Sequence, residues 1–256
     1  MYQKTLSNRA AFLNVLGMAL AVAMLPVLWP KLDIAVASFF YQSPAMRDLA
    51  DSLWVTWVNE YTPDLFRALG LLLTGGWIVV SVLRRSRRLG IVLAFTGLSL
   101  LLGPGLVTWA VKEHQLRARP MDVVQFGGQR EFTPALQPAQ QCTDNCAFTS
   151  GHVACGFFLA SLMLLDPRRR WYWVASGVTA GLLIGLARML VNAHWLSDVV
   201  LGAAVGTVTG WAVTRWHATR PGNVIDRVLL GDAVVTPLVM PAPLGGTRVG
   251  VSLAWR

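Results

Sequence analysis

The sequence predicts an all-α integral membrane protein, a bundle of six transmembrane helices, on three observations. Its 256 residues are 54% hydrophobic and only 14% charged, with a mean hydropathy of +0.50, whereas soluble domains carry about a quarter charged residues. The apolar residues fall into six runs close to the ~20 residues needed to cross a hydrocarbon core. The basic residues stand in short clusters between those runs. The formal net charge of +9 is therefore read as positive-inside topology, with no nucleic-acid partner, because the cations form no face of their own.

The first run, about Ala10 to Trp29, follows Lys4 and Arg9, and the second, about Pro63 to Leu83, ends at Arg84, Arg85, Arg87 and Arg88. The third extends from about Leu89 to Val111. The fourth, about Gly151 to Leu165, stops at Asp166-Pro167-Arg168-Arg169-Arg170, the fifth covers about Trp171 to Leu190, and the sixth about Leu196 to Val213, ahead of Arg215 and Arg220. Counting crossings puts every basic cluster and both termini on the cytoplasmic side. The loops Pro30 to Thr62, Lys112 to Ser150 and Val191 to Trp195 then face outward. A cleaved signal peptide is the rival for the first run, but no small-x-small site precedes Trp29-Pro30-Lys31.

The amphipathic stretch Leu32 to Tyr41 is too short to span and is expected in the outer interface, with its aromatic rings at headgroup depth. Residues 1–220 are expected to form one membrane domain and 221–256 a cytoplasmic tail. The weak alternation from Arg248 to Arg256 suggests at most a short strand or an interfacial stretch.

Ionisable residues at membrane depth are expensive and mark function, and here they collect on the outward face. If the segment after His194 is helical, Asp198 shares its face four residues on, and a carboxylate there can orient an imidazole. Thr149 or Ser150 can cap the fourth helix, leaving N–H groups near Gly151 and His152 for an anion. Lys112, Arg117 and Arg119 stand where the third helix emerges, and Arg188 interrupts the fifth near its outer end, where it needs an anionic partner. Taken singly, each has a bland reading: a polar interface residue, a plain cap, snorkelling anchors.

Taken in order they do not. The segment KEHQLRARP holds Lys112, Arg119 and Pro120; TSGH holds Ser150, Gly151 and His152; ARMLVNAHWLSD holds Arg188, His194 and Asp198. This pattern resembles the type 2 phosphatidic acid phosphatase (PAP2) superfamily, with Thr149 where the family has Pro and Ala187 where it usually has Ser. The resemblance implies a metal-independent, cofactor-free phosphatase. His194 would form a phosphohistidine, Asp198 would orient it, and His152 would protonate the leaving oxygen and then activate water. Lys112, Arg119, Ser150, Gly151 and Arg188 would hold the phosphate oxygens.

A site at the outer face of a bacterial inner membrane suits a lipid phosphate, of the phosphatidic acid, phosphatidylglycerophosphate, undecaprenyl diphosphate or lipid A type. The loop from Met121 to Ala147 loosely resembles headgroup-side loops of lipid A phosphatases. A lipid-to-lipid phosphotransferase on the same site, and a non-catalytic lipid-binding member of the fold, are the alternatives. A transporter is disfavoured because the charges do not thread the midplane. Cys142 and Cys146 on the outer loop can form a disulfide in an oxidising periplasm. Zinc is disfavoured because Cys-x3-Cys with one His lacks a fourth ligand. Cys155 is read as packing.

Overall fold

A computed structural model of the protein describes residues 21, 23–83, 86–219, 233–241 and 247–255. Most of the first apolar run lies outside them. A short helix α1 (Lys31–Gln42) and a single-turn-scale helix α2 (Pro44–Ala50) lead into the 31-residue α3 (Leu53–Leu83). Next comes α4 (Arg87–Leu100), which passes through a π-helical stretch, Leu101–Val107, into α5 (Thr108–Gln115). Pro104 lies inside that stretch and has no N–H to give the α-helical ladder, which accounts for the wider winding there. After a long loop come α6 (Gly151–Phe157), continued as 3-10 turns to Leu164, then α7 (Arg170–Leu190) and α8 (Leu196–Thr219).

Among the described residues four helices are long and apolar enough to cross a membrane: Leu53–Leu83, Arg87–Asp122, Pro167–Leu190 and Leu196–His217. The helix Gly151–Leu164 is apolar but shorter. The expected loop Pro30 to Thr62 is instead mostly helical, because Pro63 lies ten residues inside α3 and does not start it. The tail departs from the all-α expectation. Ala233–Pro241 (β1) and Thr247–Trp255 (β2) pair as an antiparallel ribbon, Val235 opposite Leu253, so the alternation near Arg248 is a strand.

The exposed surface is what lipid requires. On α3, Leu65, Leu71, Leu72 and Val82 are exposed, and Trp171 and Tyr172 stand exposed beside Arg170 at the start of α7, the aromatic-plus-basic pairing of a membrane interface. The interior is held by close approach as much as by bulk. A Cβ on Gly202 would lie 2.6 Å from the Ser150 carbonyl oxygen, and one on Gly206 would lie 2.3 Å from that of Ala154. Two glycines one turn apart on α8 thus let the start of α6 press against its backbone, the small-residue packing that membrane helices use in place of hydrophobic collapse. That contact brings the second sequence motif to the third.

Candidate active site

The segment from Arg188 to Asp198 is an elbow whose geometry follows from two helix-end devices. Helix α7 closes with the Ala193 N–H donating to the Arg188 carbonyl and the Asn192 N–H to the Met189 carbonyl, while Asn192 takes a left-handed φ of 50°. This is a Schellman ending with Asn in the left-handed position. At the start of α8 the Asp198 carboxylate reaches back to accept the Trp195 N–H at 2.9 Å, the acidic half of a capping box. His194 stands between the two devices. The five residues between Arg188 and His194 are the length of the Schellman turn, and the three between His194 and Asp198 are the length of the cap.

His194 therefore precedes α8 and does not share a helix face with Asp198, which corrects the sequence expectation. Its Nδ1 lies 3.7 Å from Asp198 Oδ2, an ion-pair distance longer than a hydrogen bond. Asp198 is already engaged, because its Oδ1 accepts from Arg117 at 2.6 Å. The Arg117 guanidinium also donates to Ser197 Oγ at 2.8 Å, to Asp33 Oδ2 at 2.8 Å and, through Nε, to the Thr133 carbonyl at 2.7 Å. It lies 5.5 Å from the Phe132 ring centre and 5.3 Å from that of Trp195. Asp33 Oδ1 in turn accepts the Ser197 N–H, capping α8 from outside. Arg117, Asp33 and Asp198 are all wholly buried, and one cation shared by two carboxylates, with every lone pair near a donor, is the form in which such burial is tolerated.

Three further cations ring His194. Lys112, Arg119 and Arg188 all bear on it electrostatically, and the Ala147 carbonyl lies against its ring. Lys112 Nζ donates to the Cys146 carbonyl at 2.7 Å and Arg119 Nε to that of Asn145 at 3.0 Å, while Arg188 donates to the Asn59 side chain. His152 lies within electrostatic reach of Arg188, His194 and Lys112. Burial, followed by the nearby Arg188, Lys112 and Arg119, holds the His194 imidazole well below the usual 6.5, so it is neutral at neutral pH.

Ser150 occupies the N-cap position of α6, but its hydroxyl makes no capping bond. The expectation of a Thr149 or Ser150 side-chain cap is corrected. Ser150 is fully buried where α6 meets α8, its N–H donates to the Asp198 carbonyl, and its Oγ and that of Thr149 have no partner. His152 Nε2, Arg188 Nε and His194 Nδ1 are likewise buried without a partner among the described residues. So many unspent polar groups around one imidazole suit a multiply charged oxyanion. A cavity of about 290 Å³ beside them is lined by Thr56, Asn59, Glu60, Arg119, Arg188 and Ala193.

The structure thus brings together Lys112, Arg119, Ser150, His152, Arg188, His194 and Asp198, with Gly151 between Ser150 and His152 at the start of α6. Cys142 and Cys146 are joined as a disulfide, Cα atoms 5.6 Å apart, which removes them from any zinc site. Cys155 is free. Among the described residues no group of three His, Cys, Asp or Glu could hold a metal. The sequence reading missed Asp33, Asn59 and Ser197, and gave Arg117 no role beyond the bland one of a snorkelling anchor. The one signal for Asp33 was a lone acid in an otherwise apolar stretch.

Residues 89–221 match the PAP2 superfamily. The chain belongs to that family. Among its curated relatives, the lipid A 4'-phosphatase of Francisella tularensis subsp. novicida is 32% identical over 73% of this chain and 86% of its own length. That of Rhizobium leguminosarum is 42% identical over 41% of this chain and 46% of its own length. Escherichia coli phosphatidylglycerophosphatase B is 25% identical over 64% of this chain and 75% of its own length. No solved structure matches. The PAP2 match covers α4 to α8, the elements that carry the eight site residues, whereas α1 to α3 and the tail ribbon lie outside it.

Proposed function

We propose that this PAP2-type lipid phosphatase removes a phosphate monoester from a lipid A headgroup at the outer face of a bacterial inner membrane, both termini being cytoplasmic, through a phosphohistidine on His194. The observation that carries the chemistry is a buried, neutral imidazole ringed by three cations and a set of unspent donors. The kinship with lipid A 4'-phosphatases supports the substrate.

In this reading the phosphate oxygens lie among Lys112, Arg119, Arg188, the Ser150 hydroxyl and the Gly151 N–H. With Asp198 on the Nδ1 side, Nε2 carries the lone pair and attacks phosphorus in line with the lipid oxygen. The N–P bond forms as the P–O bond breaks, and protonated His152 gives its proton to the leaving oxygen. The phosphate dianion raises proton affinity at His152, so substrate brings the acid into its working state. His152 then takes a proton from water, which attacks phosphorus and frees His194. The imidazolium formed in the first step draws Asp198 Oδ2 from 3.7 Å to hydrogen-bond distance, as apo catalytic contacts commonly tighten. Positioning and charge neutralisation supply the catalysis.

Release of inorganic phosphate from lipid A by the detergent-purified protein, with EDTA present, tests this. Mass spectrometry of the product separates the 4' from the 1 position, and phosphatidylglycerophosphate, phosphatidic acid and undecaprenyl diphosphate serve as competitors. Preference for any of these three overturns the substrate. Phosphate on a second lipid in place of water overturns hydrolysis.

A further inference from the structure

The outer loop presents three consecutive backbone carbonyls, each to a different member of the phosphate site. Asn145 O accepts from Arg119 Nε at 3.0 Å, Cys146 O accepts from Lys112 Nζ at 2.7 Å, and Ala147 O lies against His194. Carbonyls suit this task in a way carboxylates do not. They occupy one donor of each cation and fix its direction without adding negative charge, so the other two Lys112 N–H groups and the outer fork of Arg119 remain for a phosphate.

The backbone that aims these carbonyls has little of its own to hold it. Thr143, Asp144 and Asn145 are exposed, and Asn145 takes a left-handed φ of 47°. What fixes it is the pair of closures at its ends. The disulfide joins Cys142 to Cys146, and the Ala147 N–H donates at 2.9 Å to the carbonyl of Arg117, the residue whose guanidinium forms the buried network.

We infer that the Cys142–Ala147 segment is a positioning element of the phosphate site, and that its disulfide makes phosphate binding depend on the oxidised state of the loop. The inference rests on the phosphatase reading and assigns that site a redox requirement. Reduction adds two electrons and two protons to the Cys142 and Cys146 sulfurs, and of the two closures only the Ala147 N–H bond then remains, so the exposed residues Thr143 to Asn145 no longer hold the Asn145 and Cys146 carbonyls in direction.

The test compares oxidised protein, protein reduced with a water-soluble phosphine that is itself oxidised to its oxide, and the Cys142→Ala/Cys146→Ala double variant. Each is measured for lipid A turnover and for binding of orthovanadate as a phosphate mimic. Reduction and the double variant should each lower kcat/KM and weaken vanadate by about tenfold or more, the scale of losing outer-shell support. The variant should ignore reductant, and Cys155→Ser should behave as wild type. Because the double variant could fail for want of folding, Asn145 gives a second arm. Asn145→Gly accepts the left-handed backbone and should retain vanadate affinity, whereas Asn145→Val strains it and should lose affinity. Equal vanadate affinity in oxidised, reduced and double-variant protein overturns the inference, even if lipid A turnover is intact. If oxidised protein binds vanadate but hydrolyses no lipid, the phosphatase reading falls, and the vanadate comparison still decides this one. Protein that binds no vanadate in any state overturns both.

Discussion

Arginines at the two ends of α7 look alike in sequence and differ completely in the structure. Arg168 and Arg169 precede the helix, Arg170 opens it and Arg188 stands in its last turn, all flanking the same apolar run. The first three are exposed, with Arg170 lying over the Trp171 ring. Arg188 is 7% exposed, donates to Asn59 and keeps its Nε unspent beside two histidines. One end is exposed, where solvent accepts any cation. The other holds a charge inside protein, where only a fixed set of partners repays desolvation. Burial, and not charge or position in the run, separates the two ends.

The broadest test of that difference removes the group the buried cations surround. His194→Ala should lower turnover by about 10⁴-fold or more, as loss of a nucleophile does, and the radiolabelled phosphoenzyme that an alkaline quench traps in wild type, where the P–N bond of a phosphohistidine survives, should be absent from the variant. A variant that inserts normally and keeps turnover would sink the phosphohistidine scheme.

Next comes the comparison itself. Arg188→Ala should cost about 10²–10³-fold in kcat, the usual loss on deleting one fixed donor to developing charge. Arg168→Ala should change kcat by less than about threefold, since exposed cations contribute little. Equal effects would erase the distinction between the two ends.

The buried network beneath the elbow should respond in stability first. Arg117→Met leaves Asp33 and Asp198 buried without their cation and should cost about 3–5 kcal/mol, read as a lowered unfolding midpoint in detergent. Asp33→Asn keeps the shape and the cap on Ser197 while removing one charge, so its loss should be smaller. An Arg117→Met protein as stable as wild type would show that the network carries no structural weight.

The smallest expected effect is on pH dependence. His194 is held below 6.5 in the folded chain, so the free enzyme should show no loss of kcat/KM from this group as pH falls through 6.5. Stability has the same sign with the opposite consequence. As pH falls through 6.5 the unfolded chain takes a proton that the folded chain refuses, so the folded state loses stability in the acid range. In His194→Ala that acid-side loss should diminish, as read by thermal unfolding at pH 5 against pH 7.5.

How much was legible beforehand differs from element to element. The apolar runs after Arg87 gave helices within a few residues, because length and hydropathy are local properties. Residues 53–62 were read as loop because the second apolar run was begun at Pro63, yet Pro can lie within a long membrane helix when neighbours satisfy the freed carbonyl. The eight candidate residues were legible as three motifs that resemble those of a known family, and for Arg188, His194 and Asp198 the spacings are also the lengths of turns: a Schellman ending and an N-terminal cap. Asp33 and Asn59 were not, since each lies in a segment outside the motifs and meets the site only through the fold.

The sequence by itself determined an apolar helical chain and the spacing of its three motifs, because hydropathy period and turn length are written locally. The tertiary structure alone decided that Arg117 is a buried brace and no surface anchor, that Asp33 caps α8 from another helix, and that Ser150 keeps its hydroxyl unspent. The physical reason is that burial and hydrogen-bond satisfaction belong to pairs of residues up to 164 positions apart, which only packing brings together.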